Sequence, residues 1–270
     1  MISKQLIKIS ATLAVALAFG SANAQLTDVG PTLGTTTNYG VNNGGATGTY
    51  APGRNMTYNG GSEFRAFCID PGTGTILPSA YSTMSLDSFL DGSAASAYQQ
   101  QITRVNQNGT SYANTWSGFS TSAATQTLVR NDLKELFSYA YNDAISSATK
   151  AAAFGMAVWE IILQDGGATG TSYAKTTGRL TSYGSSTSSV DSVDTQTDAY
   201  LNALNTGNWS GLGLATATNW NYTVYFDSSS PFSQTFISVT TPGVPEPGTA
   251  ALAALALLGA VRFSRRDTKA

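Results

Sequence analysis

One cysteine, no histidine and three glutamates bound the chemistry open to the central part of this chain. Cys68 stands in Phe67-Cys68-Ile69-Asp70. Without a second cysteine it can form neither an internal disulfide nor a thiolate cluster for zinc. The absence of histidine removes the commonest general base and the commonest metal ligand. Ser-His-Asp and Cys-His catalysis are therefore excluded within the chain. The plainest reading of Cys68 is a buried thiol acting as a small hydrophobe. Glycosidase chemistry needs two carboxylates about 5–9 Å apart across a sugar. Nothing local pairs any two of Glu63, Glu135 and Glu160. Asp191, Asp194 and Asp198 share one helix face by spacing, yet no EF-hand loop surrounds them, and a solvated acidic face is expected. No metal and no cofactor is expected. Trp116, Trp209, Trp220 and Tyr222 are of the type that stacks on sugars or fills a core.

These residues need elements to position them. Glu63 to Ile69 reads as a core strand carrying Cys68. Gln25 to Gly61 is rich in Gly, Thr, Asn and Tyr, with turn signals at Asn43-Gly44 and Asn59-Gly60, and predicts short strands joined by tight turns. Ser85 to Val105 is ambiguous, because Leu86, Phe89 and Leu90 suggest a helical face that Gly92 interrupts. Thr125 to Ala144 has Leu128, Leu133, Leu136, Phe137 and Ala140 at helical spacing. Ser147 or Thr149 caps a second helix running to about Gln164, with Phe154, Ala157, Val158, Ile161 and Ile162 as its stripe and Asp165-Gly166-Gly167 as its stop. Gly166 to Ser189 reads as a long loop and Val190 to Leu204 as a third helix. Tyr222 to Phe226 and Thr235 to Val239 alternate like strands. The fold class expected is α+β, a mostly antiparallel β framework with a helical segment inserted between about Thr125 and Asn205.

The two ends carry a different kind of information. Lys4 and Lys8 precede an apolar stretch, Ile9 to Phe19, and Ala22-Asn23-Ala24 fits a small-x-small cleavage site. Residues 1–24 therefore read as a secretory signal peptide. At the other end, 244–270, Pro245-Glu246-Pro247 precedes an apolar run from Thr249 to Val261 and then Arg262, Arg265 and Arg266. The prolines favour an extended segment. The run is 13 residues, short of the roughly 20 that span a bilayer. The arginines would stay cytoplasmic. This order resembles the PEP-CTERM sorting signal of Gram-negative bacteria. The resemblance implies export, membrane-bound processing by an exosortase, and a surface or exopolysaccharide-matrix destination. Between the ends, residues 25–243 hold 8 Lys plus Arg against 14 Asp plus Glu, a formal charge of −6. Such a domain is a poor partner for nucleic acid or an anionic membrane surface.

Phe67-Cys68-Ile69-Asp70 and the stretch Phe154-Gly155-Met156-Ala157-Val158-Trp159-Glu160-Ile161 together resemble thioester-domain adhesins and related PEP-CTERM proteins. In those families a Phe/Tyr-Cys-Ile-Asp strand faces a helix resembling Phe-Gln-x-Ala-Ile-Trp-Glu-Ile, and the Cys sulfur and a Gln side chain join as an internal thioester. The order of elements matches over about Phe64 to Asn205, and the detail only in the two stretches. Where the glutamine would stand, this chain has Gly155. Gln164 lies nine residues further on, half a turn away from the Gly155 face at about 100° per residue. Gln126 and Gln99 to Gln101 lie on other elements.

The expectation is thus an exported, non-enzymatic domain of thioester-like fold, with Cys68 and Gly155 marking a degenerate site. Its partners would be the general secretion machinery, an exosortase and exopolysaccharide or surface proteins. Two alternatives stay open: a covalent adhesin acting through Cys68 and a glutamine from elsewhere, and a polysaccharide hydrolase.

Overall fold

The computed structural model describes residues 25–29, 36–41, 47–50, 53–70, 77, 79–107, 120–163, 173, 180–182, 188–228 and 233–242. The proposed signal peptide, the sorting signal with Pro245, Glu246, Pro247, Arg262, Arg265 and Arg266, the turn at Asn43-Gly44, and Trp116 lie outside them. Among the described residues ten strands run in chain order: β1 Gln25–Asp28, β2 Thr36–Val41, β3 Thr47–Tyr50, β4 Gly53–Tyr58, β5 Phe64–Cys68, β6 Ser79–Ala80, β7 Ser82–Ser85, β8 Leu180–Ser182, β9 Asn221–Phe226 and β10 Phe236–Thr240. Among the described residues five α-helices lie between β7 and β9: α1 Leu86–Phe89, α2 Ala97–Gln107, α3 Ala123–Ala144, α4 Ala148–Leu163 and α5 Ser188–Thr206.

Seven strands form one sheet in the order β6-β1-β4-β5-β10-β9-β7, with every pairing antiparallel. The two edge strands, β6 and β7, are separated in the chain by Tyr81 alone. Its edges are therefore held within one residue of each other, and the sheet curls almost into a barrel. That curvature removes most of the exposed edge an open sheet would carry. β2 pairs with β3 and β8 in a small second sheet. The α+β expectation holds.

The helices start where the local chemistry tells them to. The Ser122 side chain accepts from Thr125 N–H at 3.2 Å and caps α3. Ser147, not Thr149, caps α4 by accepting from Lys150 N–H. Gly92, at φ 81°, lets the chain turn between α1 and α2, which resolves the ambiguous stretch into two helices. The helical segment therefore begins near Leu86, well before the expected Thr125. The expected loop over 166–189 also needs correction, since it contains β8 and the start of α5. Three residues are too few to show a period, so their partner β2 decides the state.

α4 is buried on all sides from Ala151 to Leu163. Its Phe154 ring sits 4.7 Å from Phe67 of β5 and 4.8 Å from Phe137 of α3. This aromatic cluster welds α3 and α4 to the centre of the sheet, beside Cys68. Among the described residues no helix is long and apolar enough to cross a membrane.

Candidate functional site

Cys68 ends β5, and three other elements, β10, α2 and α4, meet the chain there. β5 pairs with β10 so that Cys68 faces Phe236 and Phe67 faces Ile237. The register continues one step beyond the strand, because Ile69 N–H donates to the Thr235 carbonyl at 2.9 Å. Asp70 and Gln234 lie just beyond the paired residues, where the chain bends enough for the Asp70 main chain to reach back to the Cys68 side chain.

The main chain of Asp70 holds both groups. Its N–H donates to Cys68 Sγ at 3.2 Å, and its carbonyl accepts from Gln234 Nε2 at 3.0 Å. Where the ladder stops, a side-chain amide takes over. Gln101 of α2 donates from Nε2 to the neighbouring Ile69 carbonyl. Trp159 of α4 donates from its indole nitrogen to the Cys68 carbonyl at 3.0 Å. The aromatic residue of the helical motif thus serves as a clamp on the cysteine strand.

The approach of Gln234 is fixed from the other side. Tyr81 Oη lies 2.7 Å from Ser233 Oγ and 2.8 Å from the Gln234 carbonyl. Buried Asp227 accepts from Ser233 N–H at 3.0 Å and from Ser79 Oγ at 2.9 Å. Burial pushes the Tyr81 phenol up, against the pull of the Ser233 hydrogen bond, so it stays a protonated donor. Burial also pushes the Cys68 thiol well above its ordinary value, and the Asp70 charge adds to that rise. A standing thiolate is thereby suppressed.

The residues singled out from the sequence fall out as follows. Cys68 is buried at the seam. Gly155 is buried within α4, and the side chain of α4 that bonds to the Cys68 strand is Trp159. Gln126 is spent on structure, accepting from Gly92 N–H and donating to the Ser93 and Thr121 carbonyls. Gln99 and Gln100 bond within their own neighbourhood, to Thr103 and Ala95. Glu135 accepts from Trp209 Nε1 at 2.8 Å, Glu160 is fully buried, and Glu63 is exposed ahead of β5. The acidic face expected on α5 is not wholly solvated, because Asp194 is buried while Asp198 is exposed. No group of three or more His, Cys, Asp or Glu among the described residues is placed to hold a metal.

Gln234 is the residue sequence reasoning missed. Its only signal is its place just ahead of the last strand, and that gains meaning only once β10 is known to lie beside β5.

No protein-family model matches this chain, and no curated protein matches it in sequence. Two solved structures are similar to it. One is the N-terminal domain of the Streptococcus pyogenes pilus tip adhesin Cpa, at 10% identity and a TM-score of 0.37, over 72% of this chain and 86% of that one. The other is the N-terminal thioester domain of fibronectin-binding protein SfbI from Streptococcus pyogenes, at 10% identity and a TM-score of 0.39, over 79% of this chain and all of that one. Likeness of this size leaves the chemistry to be argued from the seam itself.

Proposed function

We propose that the domain is exported between two removable ends to the cell surface or exopolysaccharide matrix, and that its β5–β10 seam carries an internal thioester joining Cys68 Sγ to the side-chain carbonyl carbon of Gln234. One observation carries this reading: the main chain of Asp70 holds Sγ on its N–H and the Gln234 amide on its carbonyl, just beyond the end of the β5–β10 pairing. Gly155 therefore does not decide the matter, because the Gln234 amide bonds to the same residue, Asp70, whose N–H holds the sulfur.

The chemistry balances without a cofactor. Cys68 Sγ attacks the Gln234 carboxamide carbon, the carbon–sulfur bond forms, and the carbon–nitrogen bond breaks. The thiol proton leaves with the amide nitrogen as ammonia. A primary amine on another molecule later attacks the same carbon, forming an amide and returning the thiol. Burial of Cys68 keeps water from the bond meanwhile. The result is a single covalent attachment, not turnover, which agrees with a non-enzymatic binding role.

Intact-mass measurement of the secreted wild type tests this. The expected mass is short by one ammonia, and methylamine restores its own mass while freeing one thiol. Gln234→Ala should show full mass and a free thiol. Gln101→Ala should keep the deficit, and a deficit lost there but kept in Gln234→Ala would move the bond to Gln101. A full-mass wild type with an alkylatable Cys68 after unfolding overturns the proposal. The same spectrum reports cleavage at the predicted ends.

A further inference from the structure

A second site lies at the far edge of the same sheet. Trp220 and Tyr222 stand two apart at the start of β9, so their side chains share a face. Both rings are half-buried. Their polar ends are tied to α3: Trp220 Nε1 donates to the Phe137 carbonyl at 3.0 Å, and Tyr222 Oη to the Lys134 carbonyl at 3.2 Å. Thr218 N–H donates to the next carbonyl, Ser138, at 2.8 Å. The segment is therefore rigid before any ligand arrives, which lowers the cost of binding. Beside the rings runs a groove of about 600 Å³, within the range of small-ligand sites.

We propose that this groove, between α3, the β7–α1 junction and the start of β9, binds a neutral glycan. Its lining supplies two aromatic rings, the side-chain amides of Asn219 and Asn221, and the hydroxyls of Ser85 and Ser138. Rings pack against the apolar faces of sugar rings, while amides and hydroxyls both donate to and accept from sugar hydroxyls. The charged groups of the lining are Asp87 and Lys134, and they neutralise each other at 2.7 Å, with Arg130 also 3.3 Å from Asp87. The charges of the lining itself therefore sum to zero, with Arg130 standing outside it. The lining aliphatic side chain, Leu86, is buried, so no deep apolar socket is offered to a peptide anchor. The site is independent of the seam, since β10 lies between β5 and β9.

Calorimetric titration of the intact protein with cellohexaose, laminarihexaose and maltohexaose, with oligogalacturonate as the charged control, tests this. Saturable binding to at least one neutral hexasaccharide is expected. Trp220→Ala should weaken it roughly tenfold or more. Trp220 also packs against Tyr141, so the exposed pair Asn219→Ala/Asn221→Ala gives a second reading, with several-fold weaker binding and an unchanged thermal midpoint. Gln234→Ala should bind the sugar as the wild type does, which separates this site from the thioester. Absence of saturable binding to all three neutral sugars, equal affinity in the asparagine double variant, or tighter binding to oligogalacturonate overturns the proposal.

Discussion

Asp132 shows how this domain uses a carboxylate for architecture. Tyr173 donates to Asp132 Oδ2 at 2.5 Å. Burial raises the Asp132 carboxyl, the Tyr173 hydrogen bond pulls it back, and Glu135 pushes it up further, leaving it raised. The folded state therefore holds that proton more tightly than the unfolded chain, whose carboxylate titrates near 3.9. The stability gained is fully present below that value and is lost as pH rises through the folded pKa. Asp132→Asn removes the titration. Urea midpoints measured from about pH 7 to about pH 4 should show the wild type gaining on Asp132→Asn as pH falls. A difference that stays flat would contradict this assignment. Trp159 is architectural in a similar sense. It gives a buried hydrogen bond to the Cys68 carbonyl, which is why a tryptophan suits the middle of an otherwise aliphatic and alanine-rich helix.

Among the elements, the β4–β5 pair sets the base on which the seam is built. Gly53 opens β4 directly opposite Phe67, the residue before Cys68. A Cβ there would lie 2.9 Å from Arg65 Cδ and 3.1 Å from Phe67 Cζ. The arginine chain can swing away. The phenyl ring cannot, because Phe154 and Phe137 pack against it. Gly53→Ala should therefore destabilise the domain by about 1–3 kcal/mol, the usual cost of forcing extra volume into a packed core. Chemical denaturation measures it, and a neutral or stabilising result would mean that the Phe67 ring is free to move. The same displacement would shift the strand that carries the cysteine, so the ammonia deficit should form more slowly in this variant.

For the molecule as a whole, the decisive contact is the return of the chain end into the middle of the sheet. β10 lies between β5 and β9, and both its long edges are hydrogen-bonded. Ending the chain after Ser228 should therefore abolish cooperative unfolding, because two central pairings and Gln234 are lost together. Ending it after Gly243 should leave stability within about 0.5 kcal/mol of the full chain if residues 244–270 are a removable sorting signal. Circular dichroism melts of the two truncations separate these outcomes. A destabilised Gly243 truncation would show that residues 244–270 belong to the fold and are not a removable sorting signal.

What could be read from the sequence was local. Ser147 announces the start of α4, and the spacing of Leu133, Leu136, Phe137 and Ala140 announces the buried face of α3, whereas Leu128, placed with them by spacing, is exposed. Tyr222–Phe226 and Thr235–Val239 alternate as strands and are β9 and β10 to within a residue. One cysteine and no histidine excluded whole classes of catalysis before any fold was known. Capping and periodicity act within a few residues, so they survive in the linear text. Which strand lies beside which does not. β5 meets β10 in the middle of the sheet, and the pairing joins residues far apart in the chain. That pairing, and not any motif near Cys68, brings the Gln234 amide to the Asp70 carbonyl. The folding of α3 onto the start of β9 likewise turns Trp220 and Tyr222 from two aromatic residues into the wall of a groove. Residue types set the available chemistry; the tertiary structure chose which of them meet.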